Sequence, residues 1–121
     1  MSYSILVAED SNFMRVMIKQ ILKNIENVGE IHEAADGVEA VKKYKEKKPD
    51  LVTMDIDMPN MNGLDASKQI KLFDSKAKIV MVTSSDRLDT REEAERIGVI
   101  GWIGKPFNRE EIKKVVAALS K

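Results

Sequence analysis

The sequence contains no cysteine, which excludes disulfide bonds, thiolate zinc sites and cysteine nucleophiles. It also has no net charge, because 20 basic residues balance 20 acidic ones. Proteins that bind duplex nucleic acid usually carry a basic excess, and this chain has none. We therefore expect no direct contact with nucleic acid.

A long apolar run is also missing. The stretch from Ile5 to Ala8 near the N-terminus is short, acids follow it, and no basic segment precedes it. A secretory signal has a basic segment and a longer apolar one, and a membrane span needs roughly 20 apolar residues. We expect a cytoplasmic protein without a membrane-spanning segment.

What the sequence does contain fits one globular domain. The chain has 121 residues, of which 43% are hydrophobic and 33% are charged. This length suits one domain, and the composition is that of a folded protein. We expect a single, monomeric domain over residues 1–121.

Short apolar runs alternate along the chain with segments of helical periodicity. The predicted strands cover residues 5–8, 30–35, 51–54, 79–82 and 99–103. Ser11, Asp36 and Asn108 stand where helix N-caps are expected, and Gly98 closes a charged helix over residues 86–97. Five β-α repeats predict an α/β fold, a doubly wound parallel sheet with helices on both faces.

Helical spacing also predicts which residues face the core. These are Val38, Val41 and Tyr44 in the second helix and Leu64, Ser67, Ile70 and Phe73 in the third.

Polar residues follow four of the five predicted strands at their carboxyl ends. They are Glu9, Asp10, Asp55, Thr83, Ser84 and Lys105. In open parallel sheets, ligands bind at this edge, so we expect these side chains to share one crevice.

The chemistry of this set is that of phosphoryl transfer. Three carboxylates repel one another unless a hard cation such as Mg²⁺ neutralises them. A lysine supplies a compact positive charge for a phosphoryl oxygen, and a hydroxyl donates a hydrogen bond to another. Positioning and charge neutralisation account for most catalysis of this kind, and a carboxylate can itself be the nucleophile.

Four sequence segments resemble the receiver domains of bacterial response regulators. They are Val-Ala-Glu-Asp-Ser at 7–11, Met-Asp-Ile-Asp-Met-Pro-Asn-Met-Asn-Gly at 54–63, Val-Thr-Ser at 82–84 and Lys-Pro-Phe at 105–107. The resemblance extends nearly end to end. It implies a flavodoxin-like, five-stranded sheet in the order 2-1-3-4-5.

The resemblance also implies a role for each site residue. Asp55 is the expected phospho-acceptor, and Thr83, Ser84 and Lys105 are expected to bind the phosphoryl group. Mg²⁺ is expected on the carboxylates of Asp10 and Asp55, on the backbone carbonyl of Asp57 and, through a water, on Glu9. Thr83 and Trp102 are the expected switch pair, and the Lys105–Pro106 bond is often cis in such domains.

Three positions depart from the pattern of the family. The acidic pair is Glu9-Asp10 rather than the commoner Asp-Asp, and Trp102 replaces the usual Tyr or Phe. Asp57 places an additional carboxylate near the mouth of the site.

The function implied is that of a two-component switch that turns over no small molecule. A sensor histidine kinase is the expected phosphoryl source, and a downstream protein is the target. Residues 12–15, Asn-Phe-Met-Arg, resemble the first helix of chemotaxis receivers, which favours the flagellar motor switch as that target. A receiver of another phosphorelay, or one excised from a larger regulator, is the alternative.

An enzymatic interpretation also stays open at this point. Asp55-Ile56-Asp57 after an apolar strand matches the start of haloacid-dehalogenase-type phosphatases. Those enzymes need later acidic ligands, whereas the other acids here, Glu9 and Asp10, come earlier in the chain.

Overall fold

The computed structural model of the chain describes residues 2–120 and contains one five-stranded parallel sheet. The strands are β1 (Tyr3–Ala8), β2 (Val28–Ala34), β3 (Leu51–Met54), β4 (Ile79–Thr83) and β5 (Gly101–Gly104). Their order across the sheet is β2-β1-β3-β4-β5. The predicted fold class and strand order are therefore confirmed.

Helices cover both faces of the sheet. They are α1 (Asn12–Lys23), α2 (Gly37–Lys47), α3 (Gly63–Phe73), α4 (Leu88–Ile97) and α5 (Arg109–Ala118). One core cluster contains buried residues of α1 and α5, and the other contains those of α2, α3 and α4. Between residues 2 and 120, no helix combines the length and apolarity needed to cross a membrane.

The three central strands account for the continuous apolar runs in the sequence. Every residue of β3 and β4 is buried, as is β1 from Ile5 onwards. A strand that has neighbours on both sides and helices on both faces meets no water, so alternation of polar and apolar residues disappears. These strands position the residues that follow them along one edge.

The fifth strand begins later than the apolar pattern predicts. The amide of Val99 donates to the carbonyl of Ala94, so this residue closes α4 instead of extending β5. Gly98 ends α4 with a positive φ of 99°, a conformation that suits glycine. The last strand is therefore only Gly101–Gly104.

Capping side chains fix the starts of the helices. Asn108 and Glu111 form a complete capping box, with side-chain to backbone distances of 3.0 and 3.2 Å. Asp36 accepts from the amide of Glu39 at 2.7 Å, but the Glu39 carboxylate accepts from Ala35 instead of Asp36. The Asp36 cap is confirmed, and its reciprocal bond is shifted by one residue.

The inward face predicted for α2 is partly wrong. Val38 is 51% exposed, whereas Gly37, Ala40 and Tyr44 are buried. The start of α2 packs so closely on the loop before α3 that only glycine fits at position 37, and this contact sets the rotation of the helix.

Phe73, predicted to face the core from α3, is only partly covered. It is 46% exposed and packs edge-on against Tyr44, with ring centroids 6.3 Å apart.

Candidate functional site

Two neighbouring strands bring three carboxylates together at the carboxyl edge of the sheet. β1 and β3 are paired in register, and the amide of Asp55 donates to the carbonyl of Ala8 at 3.0 Å. One carboxylate oxygen each from Glu9, Asp10 and Asp55 lies within 4.8 Å of the others. The predicted cluster is therefore present in the fold.

Lys105 reaches the same cluster from the far side of the sheet. Its backbone amide donates to the carbonyl of Thr83 at 2.8 Å, which fixes the residue at the end of β5. Its Nζ lies 2.6 Å from Oε1 of Glu9 and 3.5 Å from Oδ2 of Asp55. The expected cis peptide bond is also present between Lys105 and Pro106.

The three carboxylates differ in their exposure to solvent. Glu9 is 1% exposed and Asp55 5%, whereas Asp10 is open to solvent. Both oxygens of Glu9 are engaged, because Oε1 pairs with Lys105 and Oε2 accepts from the amide of Ser11 at 3.0 Å. Asp10 is therefore the carboxylate most accessible from outside.

The electrostatics of the cluster indicate a shortage of positive charge. Burial raises the pKa of Asp55 to about 7; the charge of Glu9 adds to this rise and that of Lys105 opposes it. One lysine faces three carboxylates, two of them buried. A divalent cation with oxygen ligands would offset this imbalance, so the donor set fits Mg²⁺.

Thr83 ends β4 at the same edge as the acids. The residue is fully buried, lies opposite Gly104 of β5, and accepts from the amide of Ser85 through Oγ1 at 3.1 Å. Ser84 and Asp57 are exposed. Within residues 2–120, the group of clustered acids does not include the Asp57 carboxylate.

The loop after β3 folds back onto the backbone of Asp55. The amide of Gly63 donates to the carbonyl of Ile56 at 2.8 Å. A Cβ at position 63 would overlap the carbonyl oxygen of Asp55, so this close approach requires glycine. Asn60 extends the restraint, because its Nδ2 donates to Oδ2 of Asp36 at 2.7 Å.

Trp102 lies farther from the acids, on the face of the sheet that α4 covers. It is partly buried against the α2–α4 core, and the guanidinium carbon of Arg91 lies 5.7 Å from its ring centroid. Trp102 pairs with Met81, and Thr83 comes two residues later on that strand. Because alternate strand residues point the same way, Thr83 and Trp102 share one face.

One residue of the 12–15 segment contacts the site, although the sequence patterns assign it no role there. Arg15 of α1 donates from Nη1 to the carbonyl of Glu9 at 2.7 Å. It also pairs with Glu33 of β2 at 3.0 Å. The sequence gives no signal for this contact, because it depends on the pairing of β2 with β1.

Known proteins resemble the chain along nearly its whole length. Residues 5–117 match the response regulator receiver domain family. The chemotaxis protein CheY of Thermotoga maritima is 44% identical over 100% of this chain and 98% of its own. CheY of Bacillus subtilis is 42% identical over 96% of each chain.

Among solved structures, CheY in the CheX-CheY-BeF3-Mg+2 complex from Borrelia burgdorferi has a TM-score of 0.92. Its identity is 31%, over 98% of this chain and 90% of that one. The family match, the relatives above 40% identity and the acidic edge of a 2-1-3-4-5 sheet agree. The chain belongs to the response regulator receiver domain family.

Proposed function

We propose that this receiver is a chemotaxis response regulator that Mg²⁺-dependent phosphorylation of Asp55 switches on. The phosphoryl group comes from a sensor histidine kinase in the cytoplasm. The phosphorylated domain, residues 1–121, then binds a downstream protein such as the flagellar motor switch. In this role the domain is a phospho-acceptor and turns over no small molecule.

The grouping of Glu9, Asp10, Asp55 and Lys105 carries the proposal. Their carboxylates and ammonium meet at the end of the sheet where parallel folds bind ligands. Asp55 lies beside both the other acids and the lysine, with its backbone held by β1 and by α3. A nucleophile fixed in this way needs little reorganisation before attack.

In the proposed step, an ionised Oδ of Asp55 attacks the phosphorus of a phosphohistidine. The new P–O bond forms as the P–N bond breaks, and the imidazole leaves with the electron pair. Lys105 moves from Glu9 towards the transferred group, where its charge offsets that of the phosphoryl oxygens. Only 3.5 Å separates its Nζ from Asp55, so the movement is short.

The proposed metal ligands are the carboxylates of Asp10 and Asp55 and the backbone carbonyl of Asp57, with Glu9 acting through a water. When bound, Mg²⁺ would neutralise these acids and balance the charge of the incoming phosphoryl group. Glu9 suits an indirect role because Lys105 and the amide of Ser11 already occupy its oxygens.

Thr83 and Trp102 are proposed to carry the signal out of the site. Thr83 and Ser84 stand at the end of β4, where a phosphoryl group on Asp55 offers new acceptor oxygens. If the Thr83 hydroxyl turns towards them, it gives up its bond from Ser85 and leaves space on the face shared with Trp102. The ring then shifts, and the surface of α4, β5 and α5 changes.

Chemotaxis is favoured over other pathways by the relatives. The two curated relatives reported above are named chemotaxis proteins, and their own length matches this chain almost completely. A receiver of another phosphorelay is the alternative. The phosphatase interpretation loses support, because the acids that meet Asp55 are Glu9 and Asp10, which follow β1 and come earlier in the chain.

Mass spectrometry of the intact protein tests the phosphorylation step. With acetyl phosphate and Mg²⁺, we expect the wild type to gain one phosphoryl group, and Asp55→Asn to gain none. Removal of divalent cations should abolish labelling as well, because the clustered acids then repel the anionic donor. Labelling of Asp55→Asn, or labelling in excess EDTA, would contradict the proposal.

Asp57→Asn is the matched control for Asp55→Asn. It removes an exposed carboxylate two residues away and keeps the backbone carbonyl, so we expect it to be labelled. Sustained release of phosphate from small phosphomonoesters would instead favour the phosphatase. In the cell, Asp55→Asn should leave swimming intact and abolish responses to gradients; normal responses would indicate another phosphorelay.

A further inference from the structure

Arg15 joins three parts of the fold beside the acidic cluster. Its side chain is only 15% exposed, and it uses three of its donors. Nη1 donates to the carbonyl of Glu9 at 2.7 Å, Nε to Glu33 at 3.0 Å and Nη2 to Asn12 at 3.0 Å. The guanidinium therefore links the loop after β1, the start of α1 and the edge strand β2.

These contacts complete the restraint of the Glu9 backbone on both sides of its Cα. The amide of Glu9 donates to the carbonyl of Ala34 in β2 at 3.0 Å, and its carbonyl accepts from Arg15. The Glu9 carbonyl is part of the peptide bond to Asp10, so its orientation sets the position of the Asp10 backbone. Asp10 itself is exposed.

We propose that Arg15 is a positioning residue for the metal ligands, and that it acts through the Glu9 carbonyl. The inference rests on the proposed function, in which Asp10 binds Mg²⁺ directly. Arg15 suits the role because its planar fork holds the Glu9 carbonyl and the Glu33 carboxylate in a fixed relation. Residues behind the ligands of a metal commonly change its affinity by about tenfold to a hundredfold.

Lys19 provides a matched control within the same network. Its Nζ pairs with the other oxygen of Glu33 at 2.8 Å and, unlike Arg15, it makes no bond to Glu9. Both cations lower the pKa of Glu33, with the Lys19 hydrogen bond as the larger cause. Removing Lys19 thus disturbs the charge balance around Glu33 and leaves the Glu9 carbonyl held.

The experiment is a calorimetric titration of Mg²⁺ alone into the wild type, Arg15→Gln, Arg15→Lys and Lys19→Gln. Circular dichroism first confirms that each variant is folded. We expect Arg15→Gln to weaken Mg²⁺ binding by about tenfold or more and Lys19→Gln to leave it unchanged. Arg15→Lys should recover little, because one ammonium does not reproduce the fork.

Amide resonances of the metal-free protein give a second measurement that global destabilisation would not reproduce. Those of Asp10 and Ser11 should shift in Arg15→Gln and stay in place in Lys19→Gln. Wild-type Mg²⁺ affinity in Arg15→Gln, full recovery in Arg15→Lys, or an equal loss in Lys19→Gln would each overturn the inference. A wild type that binds no Mg²⁺ would overturn the proposed function together with it.

Discussion

The two sides of the candidate site differ in how firmly they are held. On the packed side, Glu9, Asp55 and Lys105 are joined by ion pairs, and two of the three are nearly inaccessible to solvent. On the open side, the segment that follows Thr83 is held by hydrogen bonds between residues two apart, from the amide of Ser85 to Thr83 and from the amide of Arg87 to Ser85. The chemical groups are thus fixed, and the segment that follows β4 is held only locally.

The helix that continues the open side is equally loosely anchored. Ala94 is the only fully buried residue of α4, and Leu88 at its start is 71% exposed. Segments with few buried apolar contacts open at low free energy. A ligand shifts the equilibrium between two conformations only by the difference in its affinity for them. We therefore expect a small gain in interaction energy at Thr83 to reposition α4, whereas the packed side would resist the same gain.

The largest effect is expected on Mg²⁺ affinity, from substitutions in the acidic pair Glu9-Asp10. Asp10→Ala removes a proposed direct ligand, and we expect it to weaken Mg²⁺ binding by more than about a hundredfold. Glu9→Ala removes an indirect one and should cost about tenfold. Calorimetric titration of both variants measures the difference.

Glu9→Gln serves as the control for lost packing, because it keeps the shape of this buried side chain and removes its charge. Equal losses in Asp10→Ala and Glu9→Ala, or the reverse order, would show that Glu9 binds the metal directly.

The next effect is a dependence of folding stability on pH. In the metal-free fold, the pKa of Asp55 is raised to about 7, chiefly by burial, whereas an unfolded aspartate titrates at about 3.9. Between these values the folded state keeps a proton that the unfolded state releases. The contribution of Asp55 to stability is therefore fully present below about pH 4 and is lost as pH rises through about 7.

Asp55→Asn removes this dependence. In EDTA, the variant should be more stable than the wild type at about pH 8, and the difference should shrink towards about pH 5. Urea unfolding at the two pH values measures this difference in stability. Adding Mg²⁺ at the higher pH should restore the stability of the wild type. A difference independent of pH would mean that Asp55 is ionised throughout.

The packed side was also the more predictable from the sequence. Glu9, Asp10, Asp55 and Lys105 follow apolar strands, so the rule on strand ends places them together without any side-chain detail. The contacts of Arg15 were not predicted, because its bond to the Glu9 carbonyl depends on how α1 packs and its pairing with Glu33 depends on the register of β1 with β2. Val38 was misplaced because periodicity defines a stripe on a helix, whereas close packing at Gly37 sets its rotation.

A smaller effect is expected on the fluorescence of Trp102, which reports the coupling between the packed and the open side. Trp102 is the only tryptophan, so its emission reports this position alone. Adding Mg²⁺ and acetyl phosphate should change the emission beyond any effect of Mg²⁺ alone, because we expect Thr83 to move towards the phosphoryl group. Thr83→Ala should accept phosphate and lose most of the change, whereas Thr83→Ser keeps the hydroxyl and should retain it. Unaltered emission in the phosphorylated wild type would rule out the coupling.

The smallest effect is expected on the free energy at which α4 opens locally. Arg87 occupies the N-cap position of α4 in an extended conformation and provides no side-chain cap. Among residues 2–120, its guanidinium pairs with exposed Asp89 alone, whose Oδ1 already accepts from the amide of Thr90. Arg87→Ser would add a hydroxyl acceptor for the first turn, a gain at the low end for such caps, about 0.5 kcal/mol. Hydrogen exchange should show α4 amides opening at a free energy higher by that amount. Arg87→Ala loses the same pair with Asp89 and adds no cap, so it should not slow exchange. If both variants behave alike, the mobility of α4 is set by its packing on β5 and not by its uncapped start.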